Sequence, residues 1–121
     1  MWLPAAGCRR GFLRHRLEEL LLGASASCFL LTLGTVLTLQ KIPVQRLTME
    51  SEIEVSTAGG LEVKRITHFP NLLLEENRNP EIQTKAEQAV ANAEAISLIS
   101  KALRGNVAVQ VTPEFEFAGR P

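Results

Sequence analysis

The chain has 121 residues, which is about the length of one small domain. Hydrophobic residues make up 45% of the sequence and charged residues 21%, and this composition excludes a disordered chain. Lys and Arg together number 13, as do Asp and Glu, so no net positive charge is available to attract nucleic acid.

The first predicted element is a membrane-spanning helix. Residues 1–16 carry four arginines and no acid, and Leu20 to Leu39 form a run of twenty residues without a charge. Twenty helical residues span about 30 Å, the thickness of the hydrocarbon core of a bilayer. The pattern predicts an uncleaved transmembrane anchor over residues 20–39, with a buried helix of a soluble domain and a cleaved signal peptide as alternatives.

The charges around this run predict an orientation and a division of the chain. Basic residues are concentrated before the run, so we expect residues 1–19 to form a cytoplasmic, matrix or stromal N-terminus. The rest of the chain should then lie on the opposite side of the membrane. Three further segments are predicted there: a linker over 40–46, a small extramembrane domain over 47–117, and a flexible tail over 118–121.

Three stretches near the N-terminus resemble targeting sequences. CRRGFLR, from Cys8 to Arg14, resembles the twin-arginine export signal, which would imply the anchor partner of a folded cofactor protein. GF followed by EELLL, between Gly11 and Leu22, resembles the start of type IV prepilins and pseudopilins, with Arg16 where that family has glutamate. The arginine-rich, acid-free start is also similar to a mitochondrial presequence.

Beyond the apolar run, the hydrophobic pattern predicts a β-hairpin. From Leu47, apolar and polar residues alternate as in a half-buried strand, and Ser51 is the polar exception on the apolar side. Gly59 and Gly60 supply the turn, because paired glycines adopt a positive φ without steric cost.

The second strand of the hairpin is predicted over residues 61–69. It places Lys64 opposite the glutamates of the first strand, where opposite charges stabilise the pair. Pro70 is expected to end the strand, and residues 71–78 are expected to form a loop whose three adjacent leucines close one end of the core.

A single long helix is predicted over residues 80–104. Asn79 is a good N-cap, Pro80 suits the first helical position, and Gly105 is a typical residue just after a helix. Its apolar and small residues repeat at spacings of four and three: Ile82, Ala86, Ala89, Ala93, Ile96, Ser100 and Leu103. This stripe either packs on the domain's own sheet or pairs with a partner helix or a second copy.

Small residues also recur in the apolar run, at spacings that allow two helices to approach closely. Together with the stripe they define a candidate helix–helix interface of nine residues: Gly23, Ser27, Gly34, Ile82, Ala86, Ala89, Ala93, Ile96 and Leu103.

A C-terminal strand completes the predicted elements. Its alternating valines begin at Val107, and the alternation continues past Pro113 as an edge or arm. The predicted fold class is therefore α+β, with a single N-terminal transmembrane helix followed by a small ββαβ domain.

No catalytic, cofactor-binding or metal-binding residue is predicted. The chain has no aspartate for a Ser-His-Asp triad and too few cysteines and histidines for a zinc finger. Cys8 and Cys28 are expected to be free thiols, and His68 to be structural or solvated.

These observations predict a membrane-anchored assembly or adaptor subunit of a larger membrane complex, not an enzyme. Its expected partners are the lipid bilayer and an unknown protein or a second copy, but not nucleic acid. The alternatives are a pilin-like or secretion-apparatus component and a small accessory subunit of a membrane redox enzyme.

Overall fold

The computed structural model describes residues 9–60, 62–75 and 80–118, with side chains from Leu17 onward. Cys8 and Asn79 lie outside the described residues, so the expectations for that thiol and that N-cap are not addressed. The helices and strands follow in this order: α1 (Arg9–Leu39), β1 (Val44–Ser56), β2 (Glu62–Leu74), α2 (Pro80–Ile96), α3 (Leu98–Leu103), β3 (Ala108–Val111) and β4 (Glu114–Phe117).

The four described strands form one sheet in which β2 is central. β1 pairs with it antiparallel, and the turn between them contains Gly59 and Gly60 at φ values of 75° and 117°. β3 and β4 both pair with the other edge of β2 in parallel, one after the other. The predicted hairpin and the predicted C-terminal strand interrupted near Pro113 are thus present in the fold.

β2 continues beyond Pro70, where we predicted the hairpin to end. Pro70 lies between the part of β2 that pairs with β3, residues 65–68, and the part that pairs with β4, residues 71–74. A proline has no N–H to donate, and an interruption in strand pairing is where a sheet tolerates one. Residues 71–74 of the expected loop are therefore strand, with Leu72 and Leu74 fully buried, and residues 76–78 lie outside the described residues.

The register of the hairpin gives a different ion pair from the expected one. Arg65 of β2 lies opposite Glu54 of β1, whereas Val63 lies opposite the next residue, Val55. Lys64 has no partner in this register and falls in a bulge. Arg65 instead contacts Glu54 at 3.2 Å across the strands.

The helix that we predicted to cross a membrane packs in the core. Four residues of α1 are buried in the same cluster as β2 and α2: Phe29, Leu33, Val36 and Leu37. Leu17–Leu39 is long and apolar enough to span a bilayer by length and composition alone. Its apolar residues nevertheless have a place inside the domain, because one face of the helix covers the sheet and contacts α2.

The nine candidate interface residues separate into two groups. Ala86, Ala89 and Ala93 are fully buried and belong to the core cluster that includes α1, so this part of the stripe packs within its own domain. The other members are partly or largely exposed: Gly23, Ser27, Gly34, Ile82, Ile96 and Leu103. Pairing of these residues with a second chain stays a prediction.

Candidate functional site around Cys28

The long helix predicted over residues 80–104 is interrupted, and the interruption creates the site. The N–H of Ser97 donates to the carbonyl of Ala93 at 2.9 Å, which completes the last turn of α2. The carbonyl of Ser97 accepts from the N–H of Lys101 at 3.0 Å, which begins α3. Ser97 itself has an extended backbone, with φ −60° and ψ 126°, so the chain changes direction there.

The side chain at this junction points at a cysteine of the central helix. The hydroxyl of Ser97 donates a hydrogen bond to the sulfur of Cys28 on α1, with 3.3 Å between Oγ and Sγ. Ser97 makes no side-chain capping bond to α3, although serine is a preferred N-cap residue. Its hydroxyl is therefore committed to the sulfur, and Cys28 is a free thiol.

The first turn of α3 supplies further donors to the same sulfur. The N–H groups at the start of a helix have no carbonyl partner within that helix. Those of Leu98 and Ile99 are hydrogen-bonded to Cys28 instead. The Thr32 hydroxyl donates to the Cys28 carbonyl, at 2.7 Å, and not to the sulfur.

These bonds determine the ionisation of the thiol. Burial raises the pKa of Cys28, because a charged sulfur loses solvation. The hydrogen bonds from the Ser97 hydroxyl and from the Ile99 and Leu98 backbone outweigh burial, and the net pKa of Cys28 lies below the ordinary value of 9.0. The thiolate is the nucleophilic form of cysteine, so the site favours the reactive species.

Two exposed leucines lie near Cys28 in the chain and at the start of α3. Cys28 is partly exposed, and Leu31 lies one helical turn along α1 from it. Leu31 and Leu98 each leave 72% of their surface exposed. A reactant that reaches Cys28 therefore meets leucine side chains on both the α1 and the α3 sides.

A second polar cluster lies beneath the site. His68 on β2 is fully buried, with Nε2 3.0 Å from the Ser25 hydroxyl and Nδ1 2.6 Å from the Ser51 hydroxyl. Its ring stacks on Phe29 at a centroid separation of 5.4 Å. Burial lowers the pKa of His68, so the neutral ring is favoured, with one nitrogen donating and the other accepting.

This cluster explains the polar exception in β1. Ser51 occupies an apolar-side position because the buried ring of His68 needs a hydrogen-bond partner there. Ser25 and Phe29 flank Cys28 on α1, so the same contacts fix the helix that carries the thiol against the sheet. Of the two environments that the sequence allowed for His68, structural or solvated, the fold has it buried between two serine hydroxyls.

The described residues contain no group of three or more His, Cys, Asp or Glu side chains placed to hold a metal ion. The chemistry that this part of the molecule offers is that of a stabilised thiolate on a mixed α+β scaffold. Among the described residues, Cys28 is the free thiol whose pKa lies below its ordinary value, and it is the nucleophilic side chain of this site.

The chain belongs to the OsmC-like protein family, whose family model matches residues 18–112. It is 32% identical over 103 residues to the uncharacterized protein YmaD of Bacillus subtilis, covering 84% of this chain and 69% of that protein. The fold is a mixed α+β fold of the OsmC type.

Two solved structures named for organic hydroperoxide resistance are similar to it. OsmC of Legionella pneumophila is 27% identical, with a TM-score of 0.65, over 80% of this chain and 67% of that one. OhrB of Bacillus subtilis is 26% identical, with a TM-score of 0.64, over 80% and 68% of the two chains. A protein from Aquifex aeolicus, at 14% identity and a TM-score of 0.69, supports the fold alone.

Family membership corrects the functional predictions from the sequence. The family match begins at residue 18 and includes the apolar run, so the run belongs to the OsmC-like domain. The predictions of a single-pass membrane protein, of its orientation and of a membrane-complex adaptor are therefore wrong. The expectation that the protein is not an enzyme is not supported either, because relatives are named organic hydroperoxide resistance proteins.

The sequence interpretation missed both Cys28 and Ser97 as site residues. A charge-free run of twenty residues satisfied the criteria for a membrane helix, and Cys28 was thereby assigned to lipid. The available signal was the number of hydroxyl residues around it, including Ser25, Ser27 and Thr32. Nothing signalled Ser97, because neither glycine nor proline marks the end of α2.

Proposed function

We propose that the protein reduces organic hydroperoxides with the thiolate of Cys28. The observation that carries this proposal is the convergence of the Ser97 hydroxyl and the α3 backbone N–H groups on one free, partly exposed sulfur. The names of the relatives from Legionella pneumophila and Bacillus subtilis supply the class of substrate.

The reaction is a nucleophilic displacement at oxygen. The thiolate attacks the terminal oxygen of ROOH, an S–O bond forms, and the O–O bond breaks. The alkoxide leaves and takes a proton from water, which gives ROH and the sulfenic acid of Cys28. Sulfur is oxidised and the peroxide is reduced in this single step.

The surroundings of the sulfur favour an alkyl or aryl hydroperoxide over hydrogen peroxide. The exposed side chains of Leu31 and Leu98 can cover the organic group of the substrate, whereas hydrogen peroxide has no such group. Burial of about 60 Å² of apolar surface is worth about 1.5 kcal/mol, or about tenfold in kcat/KM.

The test is hydroperoxide consumption by the full chain with a thiol reductant present. We expect cumene hydroperoxide to be consumed with a kcat/KM about tenfold above that for hydrogen peroxide. Cys28→Ser should abolish consumption, and the matched variant Cys8→Ser should retain it. Equal consumption by the Cys28→Ser protein and the wild type would exclude this function.

A further inference from the structure

The residues around the Cys28 sulfur determine how an oxidised Cys28 can be reduced back to the thiol. The Ser97 hydroxyl, which lies outside α1, donates a hydrogen bond to this sulfur, with 3.3 Å between Oγ and Sγ. A disulfide needs a second sulfur at about this place, because disulfide geometry brings two Cβ atoms to within about 3.5–4.5 Å of one another. The position that a partner thiol would occupy holds a hydroxyl, which forms no disulfide.

Among the described residues, Cys28 is the only cysteine, and it is free. The sequence contains one more, Cys8, which lies outside the described residues. The sulfur is partly exposed and bordered by the exposed leucines Leu31 and Leu98, so a small molecule can reach it from solution.

Resting on the function proposed above, we propose that oxidised Cys28 is reduced directly by a low-molecular-weight thiol, without an intramolecular disulfide. The sulfenic acid and the thiol R′SH form Cys28–S–S–R′ and release water. A second R′SH then attacks this mixed disulfide, which releases R′S–SR′ and restores the Cys28 thiol. The hydroperoxide is the oxidant of the cycle, and two R′SH molecules are its reductant.

The first experiment treats the full wild-type chain with one equivalent of cumene hydroperoxide in the absence of thiol. We expect about one equivalent to be consumed and a dimedone adduct to form on Cys28, which traps the sulfenic acid. Replacing dimedone with 2-mercaptoethanol should give its mixed disulfide on Cys28 by mass spectrometry. Excess 2-mercaptoethanol or dithiothreitol should then support repeated turnover.

The second experiment places a thiol where Ser97 now lies. One equivalent of hydroperoxide should convert Ser97→Cys to a form about 2 Da lighter, with a disulfide to Cys28 and the dimedone adduct reduced at least about tenfold. Ser100→Cys is the matched control, because Ser100 lies on the same short helix and its hydroxyl has no hydrogen-bond partner. It should form the dimedone adduct as the wild type does.

Each failure has a separate meaning. If the wild type consumes no hydroperoxide and forms no adduct, the proposed function itself fails. A Cys8–Cys28 disulfide in the oxidised wild type would leave the function standing and overturn the inference. Turnover with reduced thioredoxin but not with small thiols would overturn it too, as would a full dimedone adduct on folded Ser97→Cys protein.

Discussion

The hydroxyl of Ser97 donates to the sulfur of Cys28 across a sequence separation of 69 residues, and this bond joins the end of α2 to the middle of α1. It exists because the chain leaves the helical conformation at Ser97. In an uninterrupted helix the N–H groups of Leu98 and Ile99 would bond to carbonyls one turn earlier, and they would not be available to the sulfur.

Removal of this hydroxyl should make the thiol less acidic. In Ser97→Ala, the largest of the interactions that lower the pKa of Cys28 is lost while burial still raises it. The midpoint of the pH dependence of iodoacetamide alkylation should move upward, and the rate at pH 7 should fall about three- to tenfold. Ser100→Ala, on the same helix, should leave both quantities unchanged; an equal effect of the two variants would contradict this role for Ser97.

His68 should make the folded protein sensitive to mild acid. Burial lowers the pKa of His68 in the folded state, so below the ordinary value of 6.5 the unfolded chain binds a proton that the folded protein does not. The stability contributed by the neutral ring is complete above pH 6.5 and is lost as the pH falls toward the folded-state pKa. Urea unfolding between pH 8 and pH 5 measures this dependence.

The variant His68→Gln isolates the contribution of this residue, because glutamine offers a donor and an acceptor without titrating. Its free energy of unfolding should fall less between pH 7 and pH 5 than that of the wild type. The variant His15→Gln reports the contribution of the other histidine. Parallel pH dependences of His68→Gln and the wild type would mean that His68 titrates normally.

Because α1 lies in the core, substitution of two nearby leucines should have different effects on the free energy of unfolding. Leu33 is fully buried and Leu31 is 72% exposed. Leu33→Ala should lower the free energy of unfolding by about 2–5 kcal/mol, because it removes buried methyl groups and leaves a cavity. Leu31→Ala should change it by less than about 0.5 kcal/mol. Denaturant unfolding of the two variants would show equal losses if α1 were not a core helix.

The alanine stripe of α2 gives a similar matched pair. Ala89 is fully buried against the core cluster, whereas Ala91 is exposed on the same helix. Ala89→Glu would bury an unpaired charge and should cost about 3–5 kcal/mol or prevent folding. Ala91→Glu should melt within a few degrees of the wild type. A stable Ala89→Glu protein would show that this face is not buried.

The amino-acid sequence by itself determined the local elements. Alternation of apolar and polar residues predicts the hairpin and the C-terminal strand, because side chains of a strand point to opposite faces. Local patterns also predict helix over residues 20–39 and 80–104, but they predict neither the break between α2 and α3 at Ser97 nor the continuation of β2 past Pro70. Gly59 and Gly60 adopt the positive φ that the turn requires. Ser51 also stood out as a polar residue among apolar positions, although its partner His68 was not apparent.

Only the tertiary structure shows that the apolar run is a core helix and that Cys28 lies beside Ser97. Hydropathy reports how favourably side chains leave water. It does not distinguish a lipid bilayer from a protein core, because both are apolar. Only the sheet and α2, packed against Phe29 and Leu33, distinguish the two. The site likewise requires Cys28 and Ser97 to meet, and a contact between distant positions has no periodicity that a single sequence could reveal.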